Sequence, residues 1–191
     1  MFAVVLAAGR ASRFGDVKLL AEWRGRPLIR HVIDSVERVC GVRSVLVTGH
    51  AGTQVHAAAA PLAGFLVHND DYDAGIGRSV ATGVAAVAAV ADGILLVLGD
   101  QPRVDSAHLA RLAACWRDAP DRPVATGYAG TAGVPAVFPP ALFPALCRLQ
   151  GDRGAQGILA QCPDCRVIDC DAAAADIDRP ADLAALARDC P

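Results

Sequence analysis

Residues 4–20, VVLAAGRASRFGDVKLL, narrow the possible folds of this chain more than any other stretch. An apolar run (Val4, Val5, Leu6) passes into small residues (Ala7, Ala8, Gly9). A short loop with Arg10, Ser12, Arg13, Gly15 and Lys18 follows, and then apolar residues return. A parallel strand buried on both faces reads as a continuous apolar run. Small residues at its C-terminal end leave the backbone open to close approach. Three cations within nine positions, set beside bare N–H groups, are what a chain of phosphates needs. The stretch predicts a nucleoside triphosphate site; a plain strand–loop–helix connection with surface cations is the competing reading. No Gly-Lys-Ser/Thr closes the loop, so it is not a P-loop. Gly-x-Gly-x-x-Gly is absent, so it is not the dinucleotide fingerprint.

The rest of the chain sets the frame. A length of 191 residues fits one domain, 1–191, with a sizeable core. Hydrophobic residues make up 53%, which argues against disorder. The net charge of −2 gives no basic footprint, so nucleic acid is not an expected partner. Apolar segments are too short or too interrupted to span a bilayer. The start, MFAVVLAAGR, lacks a basic leader, so no membrane partner and a cytoplasmic location are expected. Seven cysteines, most in apolar or Ala-rich surroundings, suit buried thiols in a reducing compartment. Cys162-Pro-Asp-Cys165 is a lone CxxC, whereas tetrahedral zinc needs a second pair of ligands.

Periodicity then orders the elements. Residues 27–40 place Leu28, Ile29, Val32, Ile33, Val36 and Val39 on one helical face, with Pro27 in the first turn. Strands are expected at 42–48, 64–68 and 94–100, and helices at 52–60, 79–91 (capped by Ser79) and 105–118 (capped by Asp105 or Ser106). Strand and helix alternate up to residue 118, which argues for a parallel sheet covered on both faces. The second half breaks the alternation. Two paired strands, 123–129 and 133–139, lie around Gly130–Gly133; helices at 141–149 and 154–161, a strand at 166–169 and a helix at 181–189 follow. The expected fold is α/β: a Rossmann-like three-layer α/β/α sandwich whose mostly parallel sheet carries an antiparallel excursion in its second half.

Two acidic elements join the first loop. Asp100 closes the buried strand within Gly99-Asp100-Gln101-Pro102. In open α/β sheets ligands bind outside the carboxyl ends of the strands. A carboxylate there can hold Mg2+, a hard cation that prefers oxygen; a turn-forming Asp is the alternative. Asp176-Ile-Asp178-Arg-Pro180 puts two aspartates on one side of an extended segment, although Asp178 could equally cap the last helix. Arg153 stands at an expected helix start.

The first loop resembles the signature Leu-Ala-Ala/Gly-Gly-x-Ser-x-Arg-Met/Phe-Gly, followed closely by Lys, of the MobA-like NTP transferases. Here it falls on Leu6, Ala7, Ala8, Gly9, Ser12, Arg13, Phe14, Gly15 and Lys18. The Ala-Ala-Gly form is most similar to the molybdenum cofactor cytidylyltransferase branch. Asn69–Ser79 resembles that family's Asn-x(5)-Gly-x-Gly-x-Ser segment, and Gly151–Ala155 its Gly-Asp-x-Gly-Ala/Ser segment. Val134, between Gly133 and Pro135, departs from relatives that place a polar residue there.

The resemblance implies a nucleotide-diphospho-sugar transferase-like fold and Mg2+ on Asp100, with Asp178 and then Asp176 beside it. It implies CTP on Leu6, Ala7, Ala8, Gly9, Arg10, Ser12, Lys18, Asn69, Gly75 and Ser79, with Arg13 and Lys18 meeting the β- and γ-phosphates. It further implies molybdopterin as the acceptor, met by Gln101 and Arg153, its cytosine dinucleotide as the product, and a molybdenum enzyme among the partners. The catalytic set is Arg13, Lys18 and Asp100. A transferase for another phosphorylated acceptor and a non-catalytic nucleotide-binding maturation factor are the alternatives. An oxidoreductase is disfavoured by the missing nicotinamide and flavin fingerprints.

Overall fold

The computed structural model describes residues 1–9, 14, 17–174, 177 and 182–183. The strands are β1 (Phe2–Ala7), β2 (Glu22–Trp23), β3 (Arg26–Pro27), β4 (Ser44–Thr48), β5 (Phe65–His68), β6 (Ile94–Leu98), β7 (Val124–Tyr128), β8 (Thr131–Phe138) and β9 (Arg166–Asp169). The helices are α1 (Leu28–Cys40), α2 (Gly52–Ala59), α3 (Ile76–Val87), α4 (Ser106–Asp118), α5 (Phe143–Cys147) and α6 (Gln156–Leu159).

Seven strands form one sheet in the order β5-β4-β1-β6-β8-β7-β9. β5, β4, β1 and β6 are mutually parallel. β8 runs antiparallel to both β6 and β7, and β7 is parallel to β9. Only β8 is reversed, which makes it the antiparallel excursion expected of the second half. A separate two-stranded ribbon joins β2 to β3.

Each central strand is apolar on both faces, so each face carries its own core. Ala3, Val5 and Ala7 of β1 pack with α1 and α4 through Ile29, Val32, Ile33, Val36, Leu109, Leu112 and Trp116. Val4 and Leu6 point the other way and pack under α3 and α5 through Val80, Val84, Val87, Phe143 and Leu146. The result is three layers, helices on both sides of a mainly parallel sheet. α3 can lie against β1 and β4 because Gly83 has no side chain where a Cβ would press on Val4 and Val47. Arg30, buried in α1, ties the first helical layer together. It meets Asp34 at 2.6 Å and Glu37 at 2.9 Å and donates to the carbonyls of Ala59 and Pro61 at the end of α2. Among the described residues no helix is long and apolar enough to cross a membrane.

Several expected boundaries move. α3 begins at Ile76, with Gly75 at its N-cap, so Ser79 lies inside the helix rather than capping it. Asp105 does cap α4, accepting from the His108 N–H at 2.8 Å. The hairpin turn is Ala129–Gly130, both at positive φ (49° and 75°), so β8 starts two residues before Gly133. The helix expected at 141–149 is a short 3-10 turn followed by α5, and the one at 154–161 shrinks to α6. The helix expected at 181–189 lies outside the described residues apart from positions 182–183. Burial raises the Cys162 and Cys165 thiols, and Cys162 Sγ donates to the Ile158 carbonyl at 3.3 Å.

Candidate active site

The parallel strands bring their C-terminal ends to one edge of the sheet. β1 and β6 are tied there by the Gly99 N–H, which donates to the Leu6 carbonyl at 2.8 Å. A Cβ on Gly99 would stand 2.9 Å from that carbonyl oxygen, so glycine is what lets the two strand ends close together. The chain leaving β1 at Ala7–Gly9 and the carboxylate of Asp100 then border the same cleft. That cleft, of ≈ 590 Å³, is lined by Leu6–Gly9, Lys18, Asp73, Ser79, Asp100 and Asp152 among others. An added Cβ on Gly9 would meet no atom of the described residues within 4 Å, and Gly9 lines the cleft.

Lys18 starts a 3-10 turn, Lys18–Leu20, whose Leu19 is buried near Gly99. Its ammonium lies 2.7 Å from Asp100 Oδ2, the two side chains being 10% and 24% exposed. The other oxygen, Asp100 Oδ1, is buried with no hydrogen-bond partner among the described residues. A buried carboxylate oxygen without a donor is costly to leave unmet, and a hard cation meets it well. Among the described residues no three His, Cys, Asp or Glu side chains converge on a metal position. A cation held here by Asp100 could take water or phosphate oxygens among its other ligands, the habit of Mg2+. The described lining also carries the carboxylates of Asp73 and Asp152.

The far wall is made by two loops that meet backbone to backbone. Gly75, at φ +96°, and Gly77 approach residues 150–153 so closely that a Cβ on Gly75 would strike the Gly151 carbonyl. On Gly77 it would lie 2.8 Å from Gln150 N. The Gly77 N–H donates to the Gly151 carbonyl at 2.9 Å. The glycines therefore serve the docking of α3 on this loop, and Gly75 also reaches the cleft lining. Beyond the loop a second cavity of ≈ 850 Å³ opens between α3, β6, β8 and α6; Asp152 and Ile76 border both cavities. Tyr128, Val134, Leu149, Arg153 and Gln156 line it, so its described wall is largely apolar, with Arg153 and Asp152 as its charged groups.

Of the residues singled out from the sequence, Leu6, Ala7, Ala8, Gly9, Lys18, Gly75, Ser79 and Asp100 share the first cleft, and Arg153 the second. Two are spent elsewhere. Asn69 is buried, donating to Ser79 Oγ at 3.0 Å and accepting from the Asp71 N–H at 3.1 Å, which pins the acidic loop to α3. Gln101 is fully buried and donates to the Ala173 carbonyl at 3.0 Å, away from both cavities. Arg10, Ser12, Arg13, Asp176 and Asp178 lie outside the described residues. Asp152 and Asp73 also line the first cleft and carry no local signal: Asp152 stands beside Arg153 in the Gly151–Ala155 segment, and Asp73 among the other aspartates of Asn69–Ser79.

Comparison with known proteins gives the family. Residues 3–166 match the MobA-like NTP transferase domain, and the chain belongs to that family. The family and the fold are those of nucleotidyltransferases. The chain is 31% identical over 169 residues to the purine catabolism protein PucB of Bacillus subtilis, covering 83% of this chain and 80% of that one. It is 35% identical over 112 residues to the bifunctional protein GlmU of Rhizorhabdus wittichii, covering 58% of this chain. The match spans only 25% of the length of that GlmU. The crystal structure of Rv0371c from Mycobacterium tuberculosis in complex with manganese superposes with a TM-score of 0.82 at 29% identity, over 99% of this chain and 98% of that one.

Proposed function

We propose that this protein transfers a nucleoside monophosphate, CMP from CTP, to the phosphate of an acceptor, molybdopterin, with release of pyrophosphate. The observation that carries the reading is the cleft in which the bare backbone of Ala7–Gly9, the ammonium of Lys18 and the half-unmet carboxylate of Asp100 face one volume. In this reading an acceptor phosphate oxygen attacks the α-phosphorus in line. A new P–O bond forms, and the bond from the α-phosphorus to the oxygen bridging it to the β-phosphorus breaks, its electrons leaving with pyrophosphate. A phosphate monoester is already ionised near neutral pH, so no strong general base is needed.

Lys18 holds the β- and γ-phosphates, with Arg13 beside it, and the backbone of Ala7–Gly9 reads the edge of the base. Mg2+, held by Asp100 with Asp178 as a second ligand, supplies charge neutralisation on the phosphates when bound. The manganese in the Mycobacterium tuberculosis structure supports a divalent cation in this fold. Catalysis rests on alignment and electrostatics. The second cavity receives the acceptor, with Arg153 near its phosphate. The product passes to a molybdenum enzyme in the cytoplasm, and neither nucleic acid nor membrane takes part.

An acceptor other than molybdopterin is the second reading, and the apolar Val134 in the cavity wall favours it. The test is pyrophosphate release from each of the four ribonucleoside triphosphates, with molybdopterin and with phosphorylated sugars or alcohols in turn. CTP with molybdopterin is expected to turn over fastest and to give a cytosine dinucleotide. Turnover confined to another acceptor would replace molybdopterin. Tight nucleotide binding with no turnover on any acceptor would favour the maturation factor.

A further inference from the structure

The carboxylate that the proposed metal needs already carries a cation. Lys18 Nζ sits 2.7 Å from Asp100 Oδ2, and its side chain is nine-tenths buried, so this is not a solvent-screened surface pair. The backbone under it is held by the 3-10 turn and by buried Leu19, but the four-carbon stem of a lysine can swing its ammonium without moving the backbone. The remaining oxygen, Oδ1, is buried and has no donor among the described residues. The carboxylate is thus half engaged. A divalent ion approaching it meets an ammonium at hydrogen-bond distance from the neighbouring oxygen, and like charges at that range repel strongly in a partly buried site.

We propose that Lys18 and the divalent cation compete for Asp100, and that triphosphate resolves the competition by drawing the ammonium onto its own oxygens. Lys18 is then a phosphate ligand and also the resident cation of the metal site, and metal and nucleotide bind cooperatively because one residue serves both. Such coupling is reciprocal: nucleotide raises metal affinity by the factor by which metal raises nucleotide affinity. The inference rests on the reading of Asp100 as a metal ligand, and the experiment separates the two.

Mn2+ is titrated into the nucleotide-free protein and free Mn2+ is followed by its electron paramagnetic resonance signal, for the wild type and for Lys18→Gln, Lys18→Met, Lys18→Arg and Asp100→Asn. Circular dichroism melts confirm that each variant is folded. Loss of the competing charge in Lys18→Gln and Lys18→Met is expected to tighten Mn2+ binding by about fivefold or more, while Lys18→Arg stays near the wild type. The same two neutral variants are expected to bind CTP more weakly in the absence of metal, so one substitution moves the two affinities in opposite directions. If both neutral variants bind Mn2+ no better than the wild type while Asp100→Asn abolishes binding, the competition is wrong and the metal assignment stands. If Asp100→Asn leaves Mn2+ binding unchanged, Asp100 is not the ligand and the competition falls with it.

Discussion

Asp100 and Asn69 show how two polar residues at the same edge of the sheet take opposite parts. Asp100 has one oxygen on Lys18 and another with no donor among the described residues, so it has capacity left for a ligand. Asn69 uses its amide on Ser79 and Asp71 and has been turned inward. Asp100→Asn keeps an acceptor for Lys18 but removes the charge, and is expected to abolish Mg2+-dependent turnover in a protein that circular dichroism still shows folded. Asn69→Ala breaks one buried and one half-buried hydrogen bond and is expected to cost about 1–3 kcal/mol in urea denaturation, with nucleotide affinity nearly unchanged. A large loss of affinity at unchanged stability would mean that Asn69 touches the nucleotide after all. The sequence could not separate the two cases. Both residues follow a strand at the ligand edge of the sheet, and only the position of Ser79 on α3 decides where the Asn69 amide goes.

Among the elements, the early strands and helices could be read from the chain because their signals are local. α1 and α4 show unbroken apolar faces, Asp105 caps α4, and β1 and β6 are apolar runs that end in glycine. The start of α3 was hidden, since Gly75-Ile-Gly77 looks like a loop until residues 150–153 are seen docked against it. The β7–β8 turn was misplaced for a similar reason. Ala129 at φ 49° takes a conformation usually signalled by Asn or Gly, and the glycines at 130 and 133 drew the turn forward. The β2–β3 ribbon went unseen because two-residue strands have no period. The glycine roles can be tested in pairs. Gly77→Ala would put a methyl 2.8 Å from Gln150 N and is expected to cost about 1–3 kcal/mol by overpacking. Gly157→Ala, whose Cβ would meet nothing within 4 Å, is expected to be neutral or stabilising by up to about 1 kcal/mol. Equal losses in thermal melts of both would remove the docking argument.

At the scale of the whole molecule the sheet order depends on contacts remote in sequence, which no local pattern records. Nothing in β8 says that it inserts between β6 and β7. One buried polar link secures that insertion. His108 of α4 donates through Nε2 to Thr126 Oγ1 at 2.9 Å, and Thr126 donates in turn to the Pro135 carbonyl of β8. Burial, together with the nearby charge of Arg111, lowers the pKa of His108, so the folded protein keeps it neutral where the unfolded chain already binds a proton. Its contribution to stability is therefore complete above about pH 6.5 and declines as pH falls from there toward the lowered folded value. Urea denaturation at pH 7.5 and 5.5 is expected to show the wild type losing stability at the lower pH, with a smaller loss in His108→Gln. An identical pH dependence in both would assign the loss to other groups.

The cleft itself is best tested by equilibrium binding of CTP with and without Mg2+, to the wild type and to Asp100→Asn. Affinity that rises with Mg2+ in the wild type, and no longer responds to it once the carboxylate is gone, is the expected result. CTP binding that ignores both the ion and the substitution would contradict a cation-bridged triphosphate in this cleft.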